Sequence, residues 1–398
     1  SVSGSATLDA TAGTVKNSSA YTASGGTGTK SFTLSGAPAG VTIGSSTGII
    51  TVATSVVANT YNFSVVATDT NTATGTLAIT LTVSAGITVS GDATLIATSG
   101  VAAATNAYTA TGGTGSITFS ATGTTADITF NPATQIVSVA TTATTGATVV
   151  ITATDANGAT GSKTLTVTVN AAITVSGATT LVATSGVAKA TTAYAATGGT
   201  GSITFSATGT TADITFDPTT KIVSVATTAT TGATVVITAT DANGATGTRT
   251  LTVTVNAAIS VSGSATLDAT AGTVKNSAAY TASGGTGTKS FTLSGAPAGV
   301  TIGSSTGVIN VPTSIKAGIS NISVIATDTN GATGTLAVVL TVNAVIAVSG
   351  DATLVATSGV AAATTAYTAT GGTGTITYSA TGTTASITFN PATQIVSV

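Results

Sequence analysis

The chain has 398 residues, of which only 5% are charged, against roughly a quarter in an ordinary soluble domain. His, Cys, Met and Trp are absent, and every acidic residue is Asp. Without His, Cys or Glu most acid–base and nucleophilic arrangements cannot be built, and no paired Asp or Ser–Lys dyad recurs at a suggestive spacing, so no enzyme is expected. A net charge of −2 supplies no field for nucleic acid or an anionic membrane. No run of about 18 apolar residues is present to insert in a bilayer. Hydrophobic residues reach 42%, which sets the chain apart from disordered segments, where low hydrophobicity accompanies high charge.

In chain order, the first feature is a repeat. "VSG" introduces a near-copy at Val2, Val89, Val175, Val261 and Val348, a period of about 86 residues. Residues 1–50 return from Ser260 with Ser19 replaced by Ala278 and Ile49 by Val308. The copies at Ile87, Ile173 and Ile346 form a second type. The expected domains are 1–86 (first type), 87–172 and 173–258 (second type), 259–345 (first type) and 346–398 (second type, incomplete). Neither end falls on a repeat boundary, so a window on a longer array is expected, with any leader or anchor outside it.

Within the first copy, "SGGTGTKSF" (24–32) approaches the order of a phosphate-binding loop. Such a loop needs Gly directly before the Lys and a helix after it. Here Thr29 precedes Lys30, and the counterparts of Lys30 in the second-type copies are Ile117, Ile203 and Ile376. A tight turn that uses positive φ explains the glycines. In the second copy "VVITATD" (149–155) places Val149, Ile151 and Ala153 on one side. "KTLTVTVN" (163–170) does the same with Leu165, Val167 and Val169, and Thr164, Thr166 and Thr168 face the other way. Period two with β-branched residues predicts strands with one buried face. Turn clusters such as "ATGGTG" and "DANGATG" separate the strands, and no helical period is sustained. About seven short strands per copy predict an all-β fold of antiparallel β-sandwiches, each able to bury its own core. "TVNAAITVSG" (168–177) joins consecutive copies through two alanines, without a flexible spacer, so a semi-rigid rod of end-to-end sandwiches is expected.

"YTASGGTGTKSFTLSGAPAGVTIGSSTGIITV" (21–52) with "YNFSVVATDTNTATGTLAITLTV" (61–83) resembles the Ig-like, cadherin-like tandem repeats of bacterial or archaeal cell-surface proteins and large adhesins. Residues 260–343 carry the pattern again. The copies at 87, 173 and 346 keep "GGTG" and, where complete, "ATDANGATG", but replace "GAPAG" with "GTTADITF" or "GTTASITF". The resemblance implies a stalk or adhesive arm of an extracellular protein.

Four aspartates recur at one slot: Asp69, Asp155, Asp241 and Asp328, followed by Asn71, Asn157, Asn243 and Asn330. They are the candidate calcium ligands. Calcium takes six to eight oxygens, usually from several carboxylates, and no DxDxD cluster is present, so an Asx turn capping the last hairpin is the expected role and no cofactor is required. Lys16, Lys189 and Lys275 share a slot that Ala103 and Ala362 fill elsewhere, which excludes a Lys–Asn isopeptide link common to all copies but not one confined to a single copy; solvated lysines are expected. Tyr21, Tyr108, Tyr194, Tyr280 and Tyr367 occupy one aromatic slot, and Phe32, Phe119, Phe205, Phe291 and Tyr378 another. These serve a core rather than a sugar platform.

The functional expectation is a structural or adhesive extracellular protein, forming a rod, fibre or surface-layer element. The alternatives are accessory polysaccharide-binding or spacer modules of a large secreted enzyme, and a virion fibre. Low surface charge and edge strands without Lys guards favour self-assembly into filaments or arrays, with a cell-surface or glycan partner open. Residues 346–398 have no counterpart of 147–170. The chain's own continuation is the expected source of those strands, and another subunit is the alternative.

Overall fold

The computed structural model describes residues 1–398, and its regular structure is entirely β. In the copy that starts at Ile87, a four-stranded sheet runs in the order Thr94–Thr98, Thr160–Asn170, Ala147–Thr154, Thr118–Thr122. A three-stranded sheet of Ala103–Ala104, Ile136–Val139 and Ile128–Asn131 lies against it. A short ribbon pairs Thr88–Ser90 with Thr109–Thr111. The same sheets recur in the copies starting at Ser1, Ile173 and Ile259. This is the Ig-like β-sandwich, in tandem.

By its contacts the chain divides into two compact units. One is Ser1–Val175 with Ala196–Phe205 and Thr238–Thr248; the other is Ser176–Ala195, Ser206–Ile237 and Arg249–Val398.

Alternation builds the core. Val149, Ile151 and Ala153 are fully buried, as are Leu165 from the neighbouring strand and Ile128 and Val137 from the facing sheet. Burying one such Val, Leu or Ile side chain contributes roughly 1.5–3 kcal/mol, and the intervening threonines face outward. One strand departs from the antiparallel expectation. Thr94–Thr98 runs parallel to residues 166–170. Inward and outward positions alternate alike in both directions, so strand polarity leaves no mark in the pattern.

The recurring "VSG" has a packing cause. Tyr108 is buried and donates its hydroxyl to the carbonyl of Asp92 at 2.7 Å. A Cβ on Gly91 would stand 2.3 Å from Cδ1 of that ring. Tyr21, Tyr194 and Tyr280 repeat the arrangement with Gly4, Gly177 and Gly263. The tyrosines are core residues, each with its polar tip satisfied.

Candidate functional site: the aspartate–threonine joints

The glycine-rich stretch forms a turn. Gly112, Gly113 and Gly115 hold φ of 80, 76 and 73°, a region open to glycine at little cost. The turn aims the N–H of Thr114 at Oδ2 of Asp155, 2.8 Å away. In the first copy the N–H of Thr27 is taken by Asp69 at 2.7 Å, and Lys30 donates to the carbonyl of Gly28 at 2.7 Å. A strand, Ser31–Ser35, follows. The would-be phosphate donor is therefore spent on a carboxylate of the protein's own.

Asp155 opens the last hairpin of its copy. Its Oδ1 accepts from the N–H groups of Asn157 (2.9 Å) and Ala159 (2.8 Å), which is the expected Asx turn. Its Oδ2 does something the sequence pattern did not suggest. Besides Thr114 it accepts the hydroxyl of Thr11, which belongs to the preceding copy. The hydroxyl of Thr114 reaches back to the carbonyl of Ala10 at 3.0 Å, and the amide of Asn157 donates to the carbonyl of Asp9 at 3.1 Å. The final hairpin of one repeat is thus stitched to the second strand of the repeat before it.

The arrangement recurs. Thr98 donates to Asp241 at 2.6 Å, Thr200 N–H to the same carboxylate at 2.8 Å, and the Asn243 amide to the carbonyl of Ile96 at 3.0 Å. Thr184 donates to Asp328 at 2.6 Å, Thr286 N–H at 2.7 Å, and the Asn330 amide to the carbonyl of Val182 at 3.1 Å. All three aspartates and the three donor threonines are buried. Asp69, in the first copy, keeps the Asx turn to Asn71 and Ala73 and lies partly exposed.

Electrostatics follow from the donors. Burial is the largest single influence on the carboxyls of Asp155, Asp241 and Asp328 and pushes them up, but a threonine hydroxyl and three backbone N–H groups together outweigh it and leave all three below the ordinary carboxylate range. The backbone N–H groups of Thr27 and Ala73 lower Asp69 in the same way, against slight desolvation. The candidate calcium ligands therefore stand apart from one another, each ringed by hydrogen-bond donors, and no three carboxylates come together.

Lys16 donates to Oδ1 of Asn157 across the first joint at 2.6 Å, and Lys189 to Asn330 across the third at 2.9 Å. These two lysines are joint residues, a correction to the expectation of solvated side chains. In each case the contact is a hydrogen bond to the amide oxygen. At the second joint Ala103 fills the lysine slot, and the side-chain amide of Asn243 crosses the joint to the backbone carbonyl of Ile96.

The threonines carried no signal of their own in the sequence, since Thr11 falls in the outward phase of its strand. In "TLDAT" (7–11) Leu8 and Ala10 are buried by alternation, and Thr11 is buried out of phase. The same ending recurs at Thr98, Thr184, Thr270 and Thr357. Burial of that Thr against the alternation, seen in the structure, marks it as having a specific partner.

Residues 2–84 and 257–343 match the family described as "Putative Ig domain". These are the two copies in which the sequence pattern was read. A search of curated proteins finds no match. Among solved structures, the human desmocollin-1 ectodomain is similar at 13% identity over 84% of this chain and 79% of that one, with a TM-score of 0.28. The titin fragment I67–I69 gives 9% identity over 65% and 98%, TM-score 0.35. Drosophila N-cadherin EC1–4 gives 12% over 84% and 98%, TM-score 0.24. The fold assignment rests on the strand pairing described above.

Proposed function

We propose that the chain is a structural segment of an extracellular or cell-surface protein, a spacer or adhesive arm built of tandem Ig-like sandwiches. The observation that carries this reading is the joint. Three successive joints carry the same buried Asp–Thr contact, and a chain that spends its few carboxylates on coupling repeats is suited to transmitting position or tension. No three carboxylates come together, and no helix is long and apolar enough to cross a membrane. Sparse surface charge favours lateral association of such arrays. Sedimentation of the chain across concentration, with electron microscopy and glycan-array binding, tests the reading. Unbranched filaments without glycan binding support it. Specific polysaccharide binding in solution would instead make these accessory binding modules.

A further inference from the structure

We infer that Asn243 is a modification site: cyclisation onto the nitrogen of Gly244 deamidates it, and the new carboxylate unlatches the second joint irreversibly. The turns at all three joints read Asn–Gly, at 157–158, 243–244 and 330–331. Glycine offers its amide nitrogen with no side chain in the way, and a Cβ on Gly158, Gly244 or Gly331 would meet nothing within 4 Å. In the step, the deprotonated nitrogen of Gly244 attacks Cγ of Asn243, an N–Cγ bond forms, and the side-chain nitrogen leaves as ammonia. Water then opens the succinimide at either carbonyl and leaves aspartate or isoaspartate, with nothing oxidised or reduced. Asn71 is the internal contrast. Thr72 follows it, and a β-branched side chain crowds the same approach.

The closed joint guards the site. The N–H of Gly244 donates to the carbonyl of Asp241 at 3.1 Å, and the side-chain amide of Asn243 donates to the carbonyl of Ile96 at 3.0 Å. Both reacting groups are thus engaged elsewhere, and Asp241 is itself fixed by Thr98, so opening of that contact frees the turn. The joints differ in what deamidation does to them. At the first and third, Lys16 and Lys189 donate to the asparagine Oδ1, and a carboxylate there gains an ion pair. At the second, Ala103 stands in the lysine slot, and Asn243 is exposed where Asn157 and Asn330 are half-buried. An oxygen in place of its amide nitrogen turns the donor toward the Ile96 carbonyl into an acceptor, two residues from the carboxylate of Asp241. The tie is lost, and the lysine that would offset the new charge is missing. The inference rests on the joint and is independent of the extracellular reading.

The test incubates the full chain and its Thr98→Val variant at mildly alkaline pH and follows asparagine conversion by peptide mapping with mass spectrometry. Asn243 is expected to convert while Asn71 does not. Thr98→Val removes a hydrogen bond to a charged group, so it is expected to speed conversion at Asn243 about tenfold or more and to leave Asn157 and Asn330 unchanged. Asn243→Asp and Asn157→Asp, made separately, read the consequence by amide exchange. Protection of the Thr200 N–H is expected to fall in the first, and protection of the Thr114 N–H to persist in the second. Conversion at Asn243 no faster than at Asn71, an unchanged rate in Thr98→Val, or retained protection of Thr200 in Asn243→Asp overturns the inference.

Discussion

The hydroxyl of Thr98, at the end of the second strand of one repeat, donates to the carboxylate of Asp241 in the next at 2.6 Å, with both side chains buried. The two residues lie 143 positions apart in sequence. Their contact adds a second tie between repeats that the short two-alanine linker already joins. The same carboxylate also organises its own hairpin through Asn243 and Ala245. Local turn and inter-repeat coupling therefore share one charge.

Acid should loosen the joints. Asp155, Asp241 and Asp328 have folded-state values below their unfolded ones, so their stabilisation is present above the unfolded value of about 3.9 and is lost as pH falls through the lower folded value. Amide exchange at Thr114, Thr200 and Thr286 is expected to be unchanged from pH 7 to 5, once corrected for intrinsic rates, and to lose protection below about 4. Protection that declines already near neutrality would contradict this.

Strong base should act on the core. Burial, reinforced by Asp92, pushes the Tyr108 hydroxyl up to about 12. A folded value above the unfolded one, about 10, means that the contribution is complete below about 10 and is lost as pH rises through the folded value. Ultraviolet titration of tyrosinate is expected to show a class of residues ionising together with unfolding near the upper end of that window. Ordinary titration of every tyrosine without unfolding would be the opposing result.

Gly91→Ala is expected to destabilise its repeat. The added methyl would lie 2.3 Å from the Tyr108 ring, and overpacking of a filled core costs about 1–3 kcal/mol. Gly100→Ala, in open space at positive φ, separates backbone strain from the clash. Thermal unfolding should show recovery of the Gly91→Ala loss when Tyr108→Leu is added, and no such recovery with Gly100→Ala.

A chelator should leave the melting temperature unchanged. The four candidate ligands are encircled by donors rather than grouped. A protein held by calcium would lose several kcal/mol on metal removal, since binding to the native state alone stabilises by mass action. A fall with chelator that calcium restores would make Asp155 and its counterparts ligands.

Most of the fold was legible because period two is unambiguous in runs such as "VVITATD" and "KTLTVTVN". The parallel placement of Thr94–Thr98 was not, since alternation carries no polarity. For the site, recurrence exposed Asp155, and the spacing to Asn157 gave its turn. Its second partner was hidden, because Thr11 lies 144 residues away and a threonine in a threonine-rich strand reads as surface. Lys16 was hidden similarly: a lysine on an edge looks solvated until the next repeat supplies Asn157.

The coupling of repeats through one buried hydrogen bond is measured most directly by a double-mutant cycle on the full chain, with Thr98→Val and Asp241→Asn made singly and together and stability read by denaturant unfolding. Hydrogen bonds to charged groups are worth about 1.5–3 kcal/mol, and the cycle is expected to return an interaction of that size, the second substitution costing far less once the first is present. Additivity within about 0.5 kcal/mol would mean that Thr98 and Asp241 do not act on one another, and the account of the joints would fail.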